Sequence, residues 1–251
     1  MCGITGIFSN SYSVLNSKII DKMNSSISHR GPDNSGKWID QKNGLVFGHQ
    51  RLSILDQSEA GNQPMRSHSA RYVITFNGEI YNHLQIRKLL EKNSSNLKWR
   101  SNSDTETLLE AIEYWGLEVA LTKLIGMFAF ALWDNNKKCL TLARDRNGEK
   151  SLYYSLLHQD KNIDFIFSSE LKAIKIFPSF KKKIRKDALS LQLNCGYIPS
   201  PYSIFEDVFK LKPGHFIILQ KKDLEKRLLP LPSPYRPFKS TLSLKTKNLV
   251  Q

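Results

Sequence analysis

The chain has 251 residues and carries 37 basic against 23 acidic side chains, a formal net charge of +14. Apolar residues make up 40 % of the chain and charged residues 24 %, which excludes wholesale disorder and allows one large domain or two small ones. The sequence has no apolar run of about eighteen residues, no basic region of a signal peptide, and too few cysteines for a disulfide framework. It therefore predicts a cytoplasmic protein without membrane association.

Apolar periodicity predicts the elements of the first half of the chain. A four-residue spacing predicts a helix over residues 15–27, and apolar runs predict strands at 44–48 and 71–76. A second helix is predicted over residues 83–92. Ser103 and Glu106 have the spacing of a capping box, which predicts a third helix that ends at Gly116.

The second half is predicted to be rich in strands. Short helices are predicted to begin near Glu170 and Asp187. These elements together favour a layered domain of helices and largely antiparallel sheets. Strands are predicted at residues 127–133, 139–143, 152–157, 163–167 and 215–219.

The end of the chain has a different composition. Beyond residue 220 the periodicity is lost, and proline and basic residues increase. The sequence therefore predicts one domain over residues 2–219 and a basic, proline-containing linker or tail over residues 220–251.

Most of the excess positive charge lies in the last two-fifths, where residues 151–251 hold 18 basic and 8 acidic side chains. The basic run at residues 181–186 has the charge to bind a polyanion. A solvated basic surface is the stronger interpretation, and nucleic acid is not expected as a partner.

Residues 31–37 match part of the phosphate-loop pattern but lack two groups that a phosphate-binding loop needs. The position that needs a magnesium-binding hydroxyl is Trp38, and Pro32 removes one amide that would contact a phosphate. The histidines and cysteines show no metal-ligand spacing, so no metal is predicted.

Cys2 offers distinctive chemistry if Met1 is removed. The new terminus would carry a thiol nucleophile and an α-amine, whose pKa is about 8, in one residue. A cysteine at position 2 is by itself unremarkable, so its interpretation depends on the motifs that accompany it.

Eight segments, the first of which contains Cys2, occur in a fixed order over residues 2–219. Together with Cys2 at the terminus, they resemble the class II glutamine amidotransferase domain of glutamine-hydrolysing asparagine synthetases, without the synthetase domain. The segments are MCGITG (1–6), HRGPD (29–33), QRLSILD (50–56), NGEIYN (77–82), SDTE (103–106), GMFAFALWD (126–134), RDRNGEK (144–150) and SSELKA (168–173).

The resemblance implies an α+β fold, the four-layer αββα sandwich of N-terminal-nucleophile hydrolases with two largely antiparallel sheets. It implies hydrolysis of L-glutamine to glutamate and ammonia through a Cys2 thioester. The Asn77 side-chain amide and the Gly78 N–H would form the oxyanion hole, although Asn-Gly alone is typical of a hairpin turn. The resemblance implies that neither the formation of the thioester nor its hydrolysis requires a cofactor.

The resemblance also implies how glutamine is held. Arg51 would bind its carboxylate, and Asp104 and Glu79 its ammonium; without the resemblance, Arg51 is a surface arginine and Asp104 stabilises a helix start. The wall beside Arg51 would be Leu52, Ser53, Ile54 and Leu55.

Two further segments have weaker roles by the same resemblance. Arg30 and Asp33 would order over glutamine, and Asp145, Arg146 and Lys150 would form ion pairs in a turn.

The implied partner is an ATP-pyrophosphatase synthetase domain or chain, and a homodimer is also open. ATP and magnesium would belong to that synthetase half, whose Ser-Gly-Gly-x-Asp-Ser loop is not in this sequence. Three hypotheses stand: an ammonia-supplying glutaminase, an orphaned but competent domain with an out-of-frame tail, and a non-catalytic fragment that serves as an interaction module.

Overall fold

Two six-stranded sheets form the framework of the computed structural model, which describes residues 1–10, 17–93, 97–159 and 162–235. The strands in those residues are β1 (Gly3–Ser9), β2 (Asn34–Asp40), β3 (Leu45–Arg51), β4 (Met65–Arg66), β5 (Tyr72–Ile80), β6 (Gly126–Asp134), β7 (Cys139–Arg144), β8 (Tyr153–Gln159), β9 (Asn162–Ser168), β10 (Val208–Lys210), β11 (His215–Gln220) and β12 (Ser233–Pro234). The helices are α1 (Ser17–Ser26), α2 (His83–Asn93), α3 (Asp104–Trp115), α4 (Leu117–Lys123), α5 (Leu171–Ile174), α6 (Lys186–Cys195) and α7 (Lys221–Glu225).

All strand pairings in both sheets are antiparallel. The first sheet has the order β10-β8-β9-β1-β3-β2, and the second has the order β12-β11-β7-β6-β5-β4. Because β4 has only two residues, it covers only the beginning of β5. In the part of the chain that the structure describes, the remaining edge of β5, from Phe76 to Ile80, has no neighbouring strand on that side.

Strand alternation separates three apolar clusters and so creates four layers. Between the sheets pack Ile4 and Phe47 of the first sheet and Trp133 of the second. On the outer face of the first sheet, Ile7 packs with residues of α1 and α5. On the outer face of the second sheet, Phe76 packs with residues of α2, α3 and α4. The central strands are buried on both faces, and they therefore appear in the sequence as continuous apolar runs.

The predicted helices and strands are confirmed, with shifts of a few residues at their ends. The beginning of the first helix prediction, at Leu15, lies outside the described residues. The predictions missed the strands β1, β2, β4, β10 and β12 and the short helices α4 and α7. β2 is an edge strand with mostly exposed side chains, and β1 includes two glycines, so neither shows an apolar alternation.

Two local predictions are wrong. Ser103 does cap α3 by accepting from the Thr105 N–H, but the Glu106 carboxylate accepts from Ser101 and Arg100 rather than from the Ser103 N–H. Asn77-Gly78 is not a hairpin turn, because both residues lie within β5 and pair with β6.

The segment after residue 220 continues against the second sheet. Leu224 of α7 is fully buried in the cluster between the sheets, and Tyr235 is buried against the outer cluster. The Tyr235 hydroxyl donates to the Arg144 carbonyl at 3.0 Å. The predicted tail beyond Tyr235 lies outside the described residues. In the described part of the chain, no helix is long and apolar enough to cross a membrane.

Candidate active site

A cleft opens at one end of the space between the two sheets. Alternation along the strands explains which side chains enter it: Cys2 and Arg51 belong to the inner face of the first sheet, and Asn77 to the inner face of the second. Every residue that the resemblance assigned to the site lines this cleft: Cys2, Arg51, Leu52, Ser53, Ile54, Leu55, Asn77, Gly78, Glu79 and Asp104.

Cys2 lies directly before β1, half-buried against the backbone of Leu52. The Leu52 N–H donates to Sγ at 3.4 Å, and the Cys2 carbonyl accepts from Arg30 Nε at 3.0 Å. Burial raises the pKa of the Cys2 thiol, and the Leu52 N–H opposes that rise. Because the thiol stays protonated at neutral pH, nucleophilic attack by Cys2 needs a base to take its proton.

Met1 lines the cleft beside Lys150, a nearly fully buried lysine that the sequence analysis did not place in the site. Lys150 Nζ lies 3.0 Å from Met1 Sδ. Burial lowers the pKa of the terminal amine, and the positive charges of Arg30 and Lys150 lower it further, while Cys2 opposes this. The environment at the terminus therefore favours a neutral amine.

The predicted ion pairs around Asp145 are replaced by backbone contacts. The Asp145 carboxylate accepts from the N–H groups of Phe128, Asn147, Glu149 and Lys150, at 2.9 to 3.3 Å. This carboxylate thereby shapes the turn, while the Lys150 side chain extends towards Met1 instead.

The free edge of β5 is held at two positions. The N–H of Phe76 donates to Gln63 Oε1 at 2.6 Å, and the N–H of Ile80 donates to Asp104 Oδ2 at 2.8 Å. Because N–H groups alternate between the two edges of a strand, the Gly78 N–H points to this same edge, between the two held positions.

Asn77 is buried, and its side-chain nitrogen Nδ2 has no hydrogen-bond partner among the described residues. An unpaired buried donor is costly, typically about 1–3 kcal/mol, so such a group is unusual unless a ligand completes it. Asn77 Nδ2 and the Gly78 N–H are therefore two donors beside one cleft.

Asp104 and Glu79 are the two carboxylates of the predicted site that line the cleft. Burial raises the pKa of Asp104 to about 6, although hydrogen bonds from the Ile80 and Thr105 backbone oppose the rise, and the charge of Glu79 adds to it. A buried carboxylate with this pKa would gain a charge partner from a bound ammonium group.

Arg51 holds the loop that closes another side of the cleft. Nη1 donates to the Ser58 carbonyl at 2.9 Å and to Asn62 Oδ1 at 2.7 Å, and Nη2 donates to the Asp56 carbonyl. Three of the five N–H groups of this guanidinium therefore contact the loop, and the other two have no hydrogen-bond partner among the described residues.

Asp33 supports the wall formed by residues 52–55. Its carboxylate accepts from the Ser53 N–H at 2.7 Å, and its own N–H donates to the Arg51 carbonyl at 3.0 Å. Arg30 is in turn held by Glu170, whose Oε1 accepts from Arg30 Nη1 at 2.9 Å. Arg30 and Asp33 thus contact the cleft's backbone rather than its open space.

Several residues of the site were not predicted to belong to it. Lys150, Gln63 and Thr105 line the cleft, and His49 contacts β5 from the facing sheet. Lys150 and Thr105 belong to the sequence motifs RDRNGEK and SDTE, whereas Gln63 and His49 are single polar residues outside those motifs. In the described residues, no group of three His, Cys, Asp or Glu side chains is arranged to hold a metal ion.

Comparison with known proteins identifies what this arrangement resembles. The sequence model of the family described as "Glutamine amidotransferase domain" matches residues 1–229. A putative glutamine-hydrolysing asparagine synthetase 2 of Methanocaldococcus jannaschii is 40 % identical over 90 % of this chain and 45 % of its own length. The glutamine-hydrolysing asparagine synthetase 1 of Bacillus subtilis is 37 % identical over 85 % of this chain and 33 % of its own length.

The chain thus spans a third to a half of the length of these curated relatives. Among solved structures, glutamine phosphoribosylpyrophosphate amidotransferase from B. subtilis superposes with a TM-score of 0.65 at 17 % identity, covering 94 % of this chain and 49 % of that one. This likeness shows the fold, and the predicted αββα sandwich with two antiparallel sheets is confirmed.

Proposed function

Because the chain belongs to the family of class II glutamine amidotransferase domains, we propose that it hydrolyses L-glutamine to glutamate and ammonia through a thioester on Cys2. The observation that carries this proposal is the unpaired, buried Nδ2 of Asn77, beside a cleft that also holds the Cys2 thiol. Such a donor suits an oxygen that becomes negatively charged during the reaction.

Removal of Met1 prepares the site in this proposal. It transfers the free amine to Cys2, so that the nucleophile and its base belong to one residue. It also removes a side chain from the cleft next to Lys150. The α-amine of Cys2, with an ordinary pKa of about 8, could then accept the thiol proton near neutral pH.

Glutamine would bind with its ammonium at Asp104 and Glu79 and its carboxylate at Arg51. The Cys2 sulfur attacks the side-chain amide carbon while the amine takes the thiol proton. Asn77 Nδ2 and the Gly78 N–H stabilise the negative oxygen of the tetrahedral intermediate. That intermediate collapses when the C–N bond breaks, and the amine returns the proton to the departing ammonia.

Water completes the reaction. It attacks the γ-glutamyl thioester with the amine again as base, the C–S bond breaks, and the thiol is restored as glutamate leaves. Glutamine and water are thereby converted to glutamate and ammonia, with no change in oxidation state.

The destination of the ammonia is a second part of the proposal. The relatives named as asparagine synthetases are two to three times as long as the segment that this chain matches. We infer that ammonia passes to an ATP-dependent synthetase domain or chain, with aspartate as the acceptor that those names suggest. ATP and magnesium would act there rather than in the cleft described above.

The experiment measures glutamate and ammonia release from glutamine by the purified protein, with mass spectrometry of its N-terminus. Equal amounts of both products are expected, together with loss of Met1. Cys2→Ala should abolish release, whereas Cys195→Ala, which changes an exposed cysteine, should leave it unchanged. A correctly processed protein that releases no glutamate would contradict the proposal.

A further inference from the structure

His49 is the one histidine in the described residues that is fully buried between the two sheets. It belongs to β3, and its partner across the ladder is Ile4 of β1, two residues after Cys2. Its imidazole does not stay within its own sheet. Nε2 lies 3.1 Å from the carbonyl oxygen of Phe76 in β5 of the facing sheet.

The geometry defines the protonation of this ring. A carbonyl oxygen can only accept, so Nε2 carries the proton and donates it. Nδ1 is then a bare lone pair, and it has no partner among the described residues. Burial lowers the pKa of His49 to about 4, with the Phe76 contact opposing and Arg51 adding to this decrease. The imidazole is therefore a neutral donor at physiological pH.

The contact falls on the peptide that leads into Asn77. The carbonyl of Phe76 and the nitrogen of Asn77 belong to one planar unit. Among the described residues, this part of β5 has no strand beside it, because β4 begins only at Met65, which pairs with Ile74. His49 on the carbonyl and Gln63 on the Phe76 N–H together take the place of the absent strand.

We propose that His49 is a positioning residue of the oxyanion hole: by holding the Phe76 carbonyl from the facing sheet, it fixes the β5 edge from which Asn77 and Gly78 reach the substrate. This inference rests on the proposed function, because it assigns Asn77 and Gly78 to the developing oxyanion. It explains why a histidine that does not line the cleft is buried between the two sheets.

A direct consequence is that the His49 donor affects the transition state more than the bound substrate. Glutamine is held by Arg51, Asp104 and Glu79, none of which hydrogen-bonds to His49 in the described residues. Loss of the donor should therefore lower kcat and leave KM for glutamine nearly unchanged.

The test compares three variants of the full chain after removal of Met1. His49→Met removes the donor, and His49→Gln keeps an N–H at a similar reach. Thr75→Val is the matched control, because it removes another buried hydrogen bond between the sheets, from Thr75 to the Gly48 carbonyl at 3.3 Å.

We expect kcat to fall roughly 10- to 100-fold in His49→Met and to stay within about threefold of wild type in His49→Gln and Thr75→Val. The γ-aldehyde analogue of glutamine, which forms a hemithioacetal with Cys2, should lose affinity in parallel with kcat. The rate of Cys2 alkylation by iodoacetamide, which forms no oxyanion, should not change.

Equal losses in His49→Met and His49→Gln, or in His49→Met and Thr75→Val, would overturn the proposal. So would full activity in His49→Met when Asn77→Ala is inactive. A wild-type protein without glutaminase activity would instead refute the proposed function on which it rests.

A measurement on the wild-type protein covers the case in which His49→Met does not fold. Nitrogen-15 NMR of labelled histidine, assigned with His49→Gln, should show a neutral ring protonated at Nε2 from pH 5 to 9. Its Nε2–H resonance should shift when the aldehyde binds. A proton on Nδ1 would overturn the proposal, because Nε2 would then have nothing to donate.

Discussion

The environment of Asp104 determines the pKa of its carboxyl group. Its position suggests an ordinary first-turn carboxylate of α3. In the fold it is buried beside the cleft, bonded to the free edge of β5, and its pKa is raised to about 6. The charge that the proposed function needs at Asp104 is therefore costly in the empty protein and becomes favourable when an ammonium binds.

This environment predicts the pH dependence of kcat/KM for glutamine. Asp104 is ionised only above a pH of about 6, so kcat/KM should rise as the pH increases through that value. In Asp104→Asn the inflection should disappear, and kcat/KM at pH 7.5 should fall about 10- to 100-fold. The control is Glu113→Gln, a half-buried carboxylate of the same helix that pairs with Arg71 and does not line the cleft. This variant should keep the inflection, and its loss there as well would contradict the assignment.

The same pKa predicts an effect on stability with the opposite sign. The folded pKa of about 6 lies above the value of about 3.9 expected for an unfolded aspartate. Ionisation of Asp104 therefore costs folding free energy, and stability is lost as the pH rises from about 4 to about 6. At pH 7.5, thermal denaturation of Asp104→Asn should show a higher Tm than wild type, despite its lower activity.

At the scale of one element, β5 is both a paired strand of its sheet and one side of the proposed active site. It pairs with β6 along its full length, and beyond Ile74 its other edge is open to the cleft. Gly78 pairs with Phe128 of β6 and also lines the cleft. A Cβ at this position would lie 2.7 Å from Phe128 Cα of β6 and closer still to the Met127 carbonyl, so only glycine lets the two strands approach.

Gly78→Ala should therefore lower both stability and activity. The added methyl meets backbone atoms that cannot rotate away, so we expect a loss of about 1–3 kcal/mol in the free energy of unfolding and a large fall in kcat. Gly116→Ala is the control: its φ of 78° is unfavourable for alanine, but the methyl meets no atom within 4 Å. It should cost about 1–3 kcal/mol of stability through backbone strain alone and leave kcat unchanged. Urea denaturation measures the stability of both variants, and glutamate release measures their kcat. An unchanged kcat in Gly78→Ala would contradict the assignment of this edge of β5 to the oxyanion hole.

At the scale of the whole molecule, the segment after residue 220 is part of the packed structure as far as Tyr235. Leu224 of α7 is buried between the sheets, whereas Leu231, seven residues further on, is 87 % exposed. We propose that the folding unit extends beyond the boundary at residue 219 that composition and periodicity suggest.

Leu224→Ala tests this extension. If the segment folds with the domain, the variant should lose about 2–4 kcal/mol of unfolding free energy, because it leaves a cavity in the core. Leu231→Ala should change stability by less than about 0.5 kcal/mol. A single cooperative transition with a lower midpoint in urea is expected for Leu224→Ala. An unchanged midpoint would instead make residues 220–235 an independent linker.

The sequence by itself determined the family, most of the helices and strands, and many of the residues that line the cleft. Apolar runs such as those of β6 and β9 are visible because both faces of these strands are buried, and motifs such as NGEIYN are local. The tertiary structure alone decided that Asn77-Gly78 lies in a strand, that Lys150 extends to Met1, and that His49 reaches the facing sheet. These features depend on which strand edge lacks a neighbour and which side chains cross between layers, and no local pattern encodes such contacts between distant residues.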